Sequence, residues 1–278
     1  MLNGLSVDVE DWFQVGAFEA VIAKDDWDRL TPRVERNTDA VLALFEEAGV
    51  KATFFTLGWV AQRYPALIRR IVAAGHEMAS HGWDHQRVFT MTPEQFRADL
   101  ARARAVIEDA AGGAVTGYRA PSFSIDQRTP WAHAILADAG YRYSSSVAPI
   151  AHDHYGWRDA PRFAHRPLAD SALIELPVTV AEIAGRRVAT GGGFFRLLPG
   201  ALSSFAVRQV NRAAHPAVFY FHPWEIDPDQ PRVRAAPIKS KLRHYSRLGA
   251  MARKLKTLIA RHDWGRVDAV IANQAAVL

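Results

Sequence analysis

Two rhythms of apolar and polar positions alternate along this chain up to about residue 222. Short runs rich in apolar and β-branched residues read as buried strands at 5–9, 52–57, 77–80, 117–119, 141–144, 173–178 and 217–222. Between them, apolar residues recur at helical spacing. Three of these segments open on Thr-Pro, with threonine placed to cap and proline suited to the first turn. The segment after Thr31-Pro32 carries Val34, Val41, Leu42 and Phe45 on one face and stops at Gly49. The one after Thr92-Pro93 carries Phe96, Leu100, Ala103 and Ile107 and stops at Gly112. Its Gln95, three residues past Thr92, predicts a capping box. Thr129-Pro130 opens a third that stops at Gly140, and a further helix over 65–74 stops at Gly75. Such alternation predicts an α/β fold, with parallel strands crossed by helices and closed into a barrel or opened into a sheet. Residues 1–222 read as one barrel domain. Residues 223–278 read as a helical extension packed on it, with a helix around 238–259.

Chemistry in parallel barrels gathers at the C-terminal ends of the strands. The polar candidates fall there: Asp8 to Asp11, His81, Arg119, Ser144 to Ser146 and His222. His81-Gly-Trp-Asp-His85 sets two imidazoles four residues apart, and both can converge on one divalent ion if a carboxylate joins them. Along a strand, Asp8 and Glu10 point to one side and Asp11 to the other. If the strand persists, Glu10 is the third ligand; if the chain turns after Val9, Asp11 swings in instead.

Composition narrows the field. With 278 residues, 49% of them hydrophobic, the chain can bury a large core. The absence of cysteine excludes disulfides and thiolate metal sites, so any metal must be held by imidazole and carboxylate. The 34 basic and 29 acidic residues leave a net charge of only +5, with much of the excess in the C-terminal third, and no nucleic-acid motif accompanies it. No apolar run approaches the ~20 residues needed to span a bilayer, and no signal-like segment opens the sequence. A cytoplasmic protein without a membrane span or nucleic-acid partner is expected.

The order of acid cluster, Ser80-His81-Gly-Trp-Asp-His85, Tyr118-Arg-Ala-Pro-Ser122 and Phe219-Tyr-Phe-His222 resembles the polysaccharide (NodB-homology) deacetylases of the carbohydrate esterase class. Asp8-Val-Glu-Asp-Trp-Phe-Gln-Val15, Thr190-Gly-Gly-Gly-Phe-Phe-Arg-Leu-Leu-Pro199 and His222-Pro-Trp-Glu-Ile-Asp227 resemble one subgroup. That subgroup accompanies exosortase-type exopolysaccharide loci and carries its own C-terminal domain. The resemblance implies an incomplete (β/α) barrel and metal-dependent removal of acetyl groups from N-acetylhexosamine units of a bacterial polysaccharide. It implies one divalent ion, zinc by choice, at His81, His85 and either Glu10 or Asp11. Asp8 is the expected general base, His222 the general acid and Arg119 the partner that orients the base carboxylate. Pro121, Ser122, Trp83 and Trp224 are expected to meet the glycan, the tryptophans by stacking on sugar rings.

Relatives usually carry an aspartate just before a Ser-Ser pair, where this chain has Tyr143-Ser144-Ser145-Ser146. Asp126 or Asp153 could compensate. Two other readings stay open: a hydrolase of small or cyclic amides on the same barrel, and a non-catalytic glycan-binding relative. His76, His133, His165 and His215 read as structural, and His152 and His154 as lining a cleft. Gly191-Gly-Gly193 reads as a tight turn beside that cleft, because it lacks the nucleotide-loop patterns.

Overall fold

The structure, a computed structural model, describes residues 1–152 and 155–275; Asp153 and His154 lie outside the described residues. Its strands are β1 (Asn3–Val9), β2 (Thr53–Thr56), β3 (Glu77–Ser80), β4 (Gly117–Tyr118), β5 (Tyr143–Ser144), β6 (Ile174–Glu175), β7 (Val180–Ile183), β8 (Arg186–Ala189), β9 (Val218–Phe221) and β10 (Trp264–Gly265). Its helices are α1 (Val34–Ala48), α2 (Gly58–Arg63), α3 (Pro65–Ala73), α4 (Pro93–Ala111), α5 (Ala132–Asp138), α6 (Gly192–Leu197), α7 (Gly200–Arg212), α8 (Ile238–Tyr245), α9 (Leu248–Ile259) and α10 (Val267–Ala275).

Eight parallel strands form one sheet in the order β10-β1-β2-β3-β4-β5-β6, with β9 also paired to β1. Among the described residues β6 and β9 form no ladder with each other, although Thr179, beyond β6, donates its amide to the Val218 carbonyl of β9, and the sheet forms a half-barrel. Alternation along the strands sorts side chains to two faces. Leu5, Val7, Val9, Phe54, Phe219 and Phe221 pack in the layer shared with the helices. Phe55, Ala79, Tyr143, Val218 and Tyr220 fill the concave interior. Each fully buried Phe or Leu contributes about 2 kcal/mol by leaving water.

Thr92 and Gln95 form the expected capping box at α4, and Phe96, Leu100, Ala103 and Ile107 are buried. Thr31 does not cap α1. That helix starts at Val34 without a side-chain cap from Arg33, and its first amides bond to Asp11 instead. The single helix expected around 238–259 is two, α8 and α9, broken where Arg247 takes a left-handed φ of 58°. The C-terminal extension is not only helical: β10 pairs in parallel with Asn3 and Gly4 of β1, beside α10. An antiparallel hairpin, β7 with β8, also goes beyond the strands expected.

Register places the site. Val9, Thr56, Ser80, Tyr118, Ser144 and Glu175 pair successively across the sheet, and Val7 pairs with Phe221. The residues that follow these last paired positions, Glu10, His81, Arg119 and Ser145, therefore lie along one rim. His222 follows Phe221 and so stands level with Asp8.

Candidate metal centre and catalytic cleft

Glu10, His81 and His85 each offer a ligand atom, all within 4.8 Å of one another, and theirs is the only such group among the described residues. His81 continues β3, and its Nδ1 lies 2.8 Å from the Arg119 carbonyl, which accepts its proton and leaves Nε2 as a free lone pair. His85 sits on the following loop with φ of 62°, a left-handed conformation unusual for histidine, which turns its ring back toward His81 at 5.6 Å between centroids. Glu10 Oε1 accepts from Trp224 Nε1 at 3.0 Å. Glu10 Oε2 is buried without a hydrogen bond and lies 2.9 Å from His85 Nε2. Two imidazoles and one carboxylate with an unbonded buried oxygen are a donor set that fits a divalent ion of the zinc type. Burial alone would raise the Glu10 pKa, but His85, His222 and His81 outweigh it and hold the carboxyl well below its ordinary value. Burial pushes His81 down to about 4, against the pull of Asp8, so its imidazole is neutral and able to ligate at neutral pH.

Beside this group runs a second, buried chain of contacts. Arg119, fully buried, donates from Nη1 to Asp8 Oδ1 at 2.7 Å and to Ser6 Oγ at 2.8 Å. It also donates from Nε to the Ser145 carbonyl and from Nη2 to Ser145 Oγ. Its guanidinium lies 4.1 Å from the centre of the Phe55 ring. Asp8 Oδ2 faces His222 Nε2 at 4.0 Å, and the same nitrogen is 3.7 Å from Glu10 Oε1. His222 Nδ1 is 3.0 Å from Glu225 Oε2, which also accepts from the His222 backbone amide. Arg196 Nη1 stands 3.3 Å from the other Glu225 oxygen, and both residues are buried. Burial alone would lower the His222 pKa; Glu10, Glu225 and Asp8 reverse that and raise it to about 9.

Asp8, Glu10, His81 and His222 open into one cleft of about 460 Å³, together with Ser122, Phe123, Trp224 and residues of α6 and α8. A larger cavity of about 1180 Å³ lies at the opposite end of the sheet, where Thr116 and Tyr141 precede β4 and β5, and it holds none of these groups.

Three sequence expectations need correction. Asp11 is not part of the ligand group. The chain turns after Glu10, and the Asp11 carboxylate accepts from the amides of Trp12, Arg33 and Val34, capping α1 across space. Trp83 is not in the cleft. Its indole fills the gap at α2, where a Cβ on Gly58 would come within 2.6 Å of the ring, and Arg102 covers it at 3.5 Å. Pro121 is buried against Gly82 and does not line the cleft, whereas Ser122 does, with φ of 54°. Trp224 lines the cleft but is bound up in it, stacked on His222 and His244 and bonded to Glu10.

Glu225 and Arg196 were missed by sequence reasoning. The available signal was the spacing His222-Pro-Trp-Glu225, which lets the Glu225 carboxylate reach back to both the amide and the ring of His222. Ser144 bonds to Ser146 at 2.8 Å, and Asp126 pairs with Arg128; neither lines the cleft. The carboxylate bonded to His222 Nδ1 is that of Glu225. His76 accepts from the Ala52 amide and His133 pairs with Glu175, both structural placements. Gly191 packs against Tyr220, where a Cβ would meet the ring at 2.6 Å, and Gly193 lines the cleft as a tight approach would require.

The family model for "Polysaccharide deacetylase" matches residues 21–144. Over that segment the chain is similar to polysaccharide deacetylases. A second model, a domain of unknown function (DUF3473), matches residues 145–272 and takes in His222, Trp224 and the cleft residues of α6 and α8, while Asp8 and Glu10 precede both matches. Helicobacter pylori peptidoglycan deacetylase is 30% identical over 145 residues, 52% of this chain and 48% of that protein. A chitooligosaccharide deacetylase from a Bradyrhizobium species is 31% identical over 133 residues, 48% of this chain and 55% of that protein. The chain thus spans about half the length of these curated relatives. A solved structure assigned as a polysaccharide deacetylase, from Mycobacterium smegmatis, covers 99% of this chain and 92% of its own with a TM-score of 0.61, and at 20% identity it shows the shared fold. No helix among the described residues is long and apolar enough to cross a membrane.

The two acids of the cluster separate experimentally. Asp11→Ala is expected to lower unfolding free energy by about 3 kcal/mol, because buried amides lose their acceptor, with metal stoichiometry unchanged. Glu10→Ala should do the reverse, losing metal while the fold holds. Urea denaturation and elemental analysis of both variants check this.

Proposed function

We propose that this protein is a metal-dependent hydrolase that removes acetyl groups from N-acetylhexosamine units of an exported bacterial polysaccharide. One observation carries the reading: the Asp8 carboxylate, fixed by Arg119, faces His222 Nε2 at 4.0 Å directly beside the Glu10, His81 and His85 group. The names of the relatives above support the substrate class. In this reading, Glu10, His81 and His85 hold the divalent ion, with zinc favoured by the donor set, and that ion supplies the positive charge that acidifies a water and polarises the acetyl carbonyl. Asp8 takes the proton of the attacking water, and Arg119 keeps the carboxylate aimed. His222 gives its proton to the nitrogen as the carbon–nitrogen bond breaks, so acetate and a free amine leave. Ser122 would border the acetyl end of the cleft. Residues 1–222 would carry the reaction, and the extension 223–278 would complete it with Trp224 and Glu225.

The non-catalytic reading drew on the serine at position 144. A buried glutamate 3.0 Å from His222 Nδ1 supports the catalytic one instead, since the acid has its carboxylate. The deciding experiment follows acetate release from chitotetraose and from a hyaluronan tetrasaccharide. Release that stops on chelation and returns with added zinc is expected. Metal-loaded protein that binds either glycan and releases no acetate sinks the proposal.

A further inference from the structure

The wall of the cleft away from the metal group differs in charge from the floor. On the floor, Asp8 and Glu10 have the partners described above, and Glu19 at the edge pairs with Arg87. The far wall is built by α6 and α8. It presents Arg196, Lys239, Ser240, Arg243 and His244, with no acidic residue among the described lining residues of those two helices. Lys239 and Arg243 are four residues apart on α8 and so share one face.

Arg196 is the telling member. It is buried, and its Nη2 donates to the Arg243 carbonyl, which ties α6 to α8 behind the cationic face. Its Nε has no hydrogen-bond partner, although the residue lines the cleft. Glu225 offsets the guanidinium's charge from the side facing His222, but leaves that N–H unmatched. A buried guanidinium donor without an acceptor is costly unless an acceptor arrives. His244, pushed well below its ordinary pKa by burial and by Arg196, stays neutral and adds a polar edge rather than a charge.

We infer that the α6–α8 wall is an anion subsite, in which Arg196 and Arg243, with Lys239, receive a carboxylate or phosphate carried by the glycan next to the sugar that loses its acetyl group. This rests on the deacetylase reading for what occupies the floor, but not for the binding itself. A neutral chain of N-acetylhexosamines would offer the Arg196 donor only uncharged oxygens and leave the cationic wall without a counter-charge. An acidic one would satisfy it and gain charge-assisted hydrogen bonds from a fork suited to planar anions.

Calorimetric binding to the whole chain tests this without turnover. Chitotetraose, a hyaluronan tetrasaccharide and N-acetylglucosamine 6-phosphate are compared at low and at moderate salt. At least one acidic probe should bind at least tenfold tighter than the neutral probe of its size, N-acetylglucosamine serving for the phosphate. That preference should shrink with salt and fall to about twofold or less in Arg243→Gln, whose half-exposed side chain can be changed without disturbing the buried pair. Preference for hyaluronan identifies a carboxylate, and preference for the phosphate identifies a phosphate; either supports the subsite. Equal affinity for neutral and acidic probes overturns it, as does a preference that persists in Arg243→Gln. If acidic probes bind selectively but no glycan releases acetate, the subsite stands and the deacetylase reading falls.

Discussion

Replacing Asp8 by asparagine is expected to lower kcat for acetate release by about 10³-fold while metal content stays at the wild-type level. Asp8 is not among the three residues whose ligand atoms converge, so the ion keeps its protein donors. What the amide cannot do is accept the water's proton. Its oxygen can still take the Arg119 Nη1 hydrogen bond that Asp8 Oδ1 takes at 2.7 Å, so the buried guanidinium is not stripped of its contact. Alanine would be a poorer test, because it leaves the fully buried Arg119 charge without its counter-ion, a change that costs about 3–5 kcal/mol of stability. The result to look for is separation: metal retained by elemental analysis, glycan bound by calorimetry, turnover gone. Wild-type turnover in Asp8→Asn would show that the proton goes elsewhere.

Much of this centre could be read from periodicity because it is built at strand ends. A strand's two-residue period put Asp8 and Glu10 on one side and Asp11 on the other, and the structure follows that rule past the last paired residue, Val9. The helix of residues 93–111 carried its own boundaries, since Thr92, Gln95 and Gly112 act within a turn of themselves. Interactions closed across long separations were not legible. Asp11 is fixed by amides 22 and 23 residues away, a partnership that no local pattern announces. Trp83 lies between two catalytic-looking histidines in sequence, yet Gly58, distant in the chain, opens the space that draws it out of the cleft. The two-residue strand β10 is too short to show a period, and the break between α8 and α9 uses a left-handed arginine where a glycine would have been the visible signal.

Glu225 is the strongest case of a role that only folding reveals, and its removal should cost nearly as much as that of Asp8. Glu225→Gln is expected to reduce kcat by about 10³-fold, as loss of the carboxylate behind a catalytic imidazole does in a hydrolytic triad. With Glu225 Oε2 accepting from His222 Nδ1 at 3.0 Å, the proton to be donated sits on Nε2, toward Asp8 and the cleft. An amide in its place can present either its oxygen or its NH₂ to the ring, so the tautomer and tilt are no longer fixed. The charge matters separately. His222 is raised to about 9 because Glu10, Glu225 and Asp8 outweigh its burial, and in the proposed reaction the protonated ring is the acid. Removing one negative neighbour destabilises the protonated form, so the alkaline limb of kcat/KM should move about one pH unit lower in Glu225→Gln. In the metal-loaded protein both limbs should lie below the metal-free value of His222, since a cation on Glu10 cancels part of that carboxylate's pull. Arg196 loses its counter-charge in this variant, so thermal unfolding must accompany the kinetics. A merely structural glutamate would lower stability without moving the pH limb, and Glu225→Asp, which keeps the charge, should restore the limb even where the shorter reach keeps kcat low.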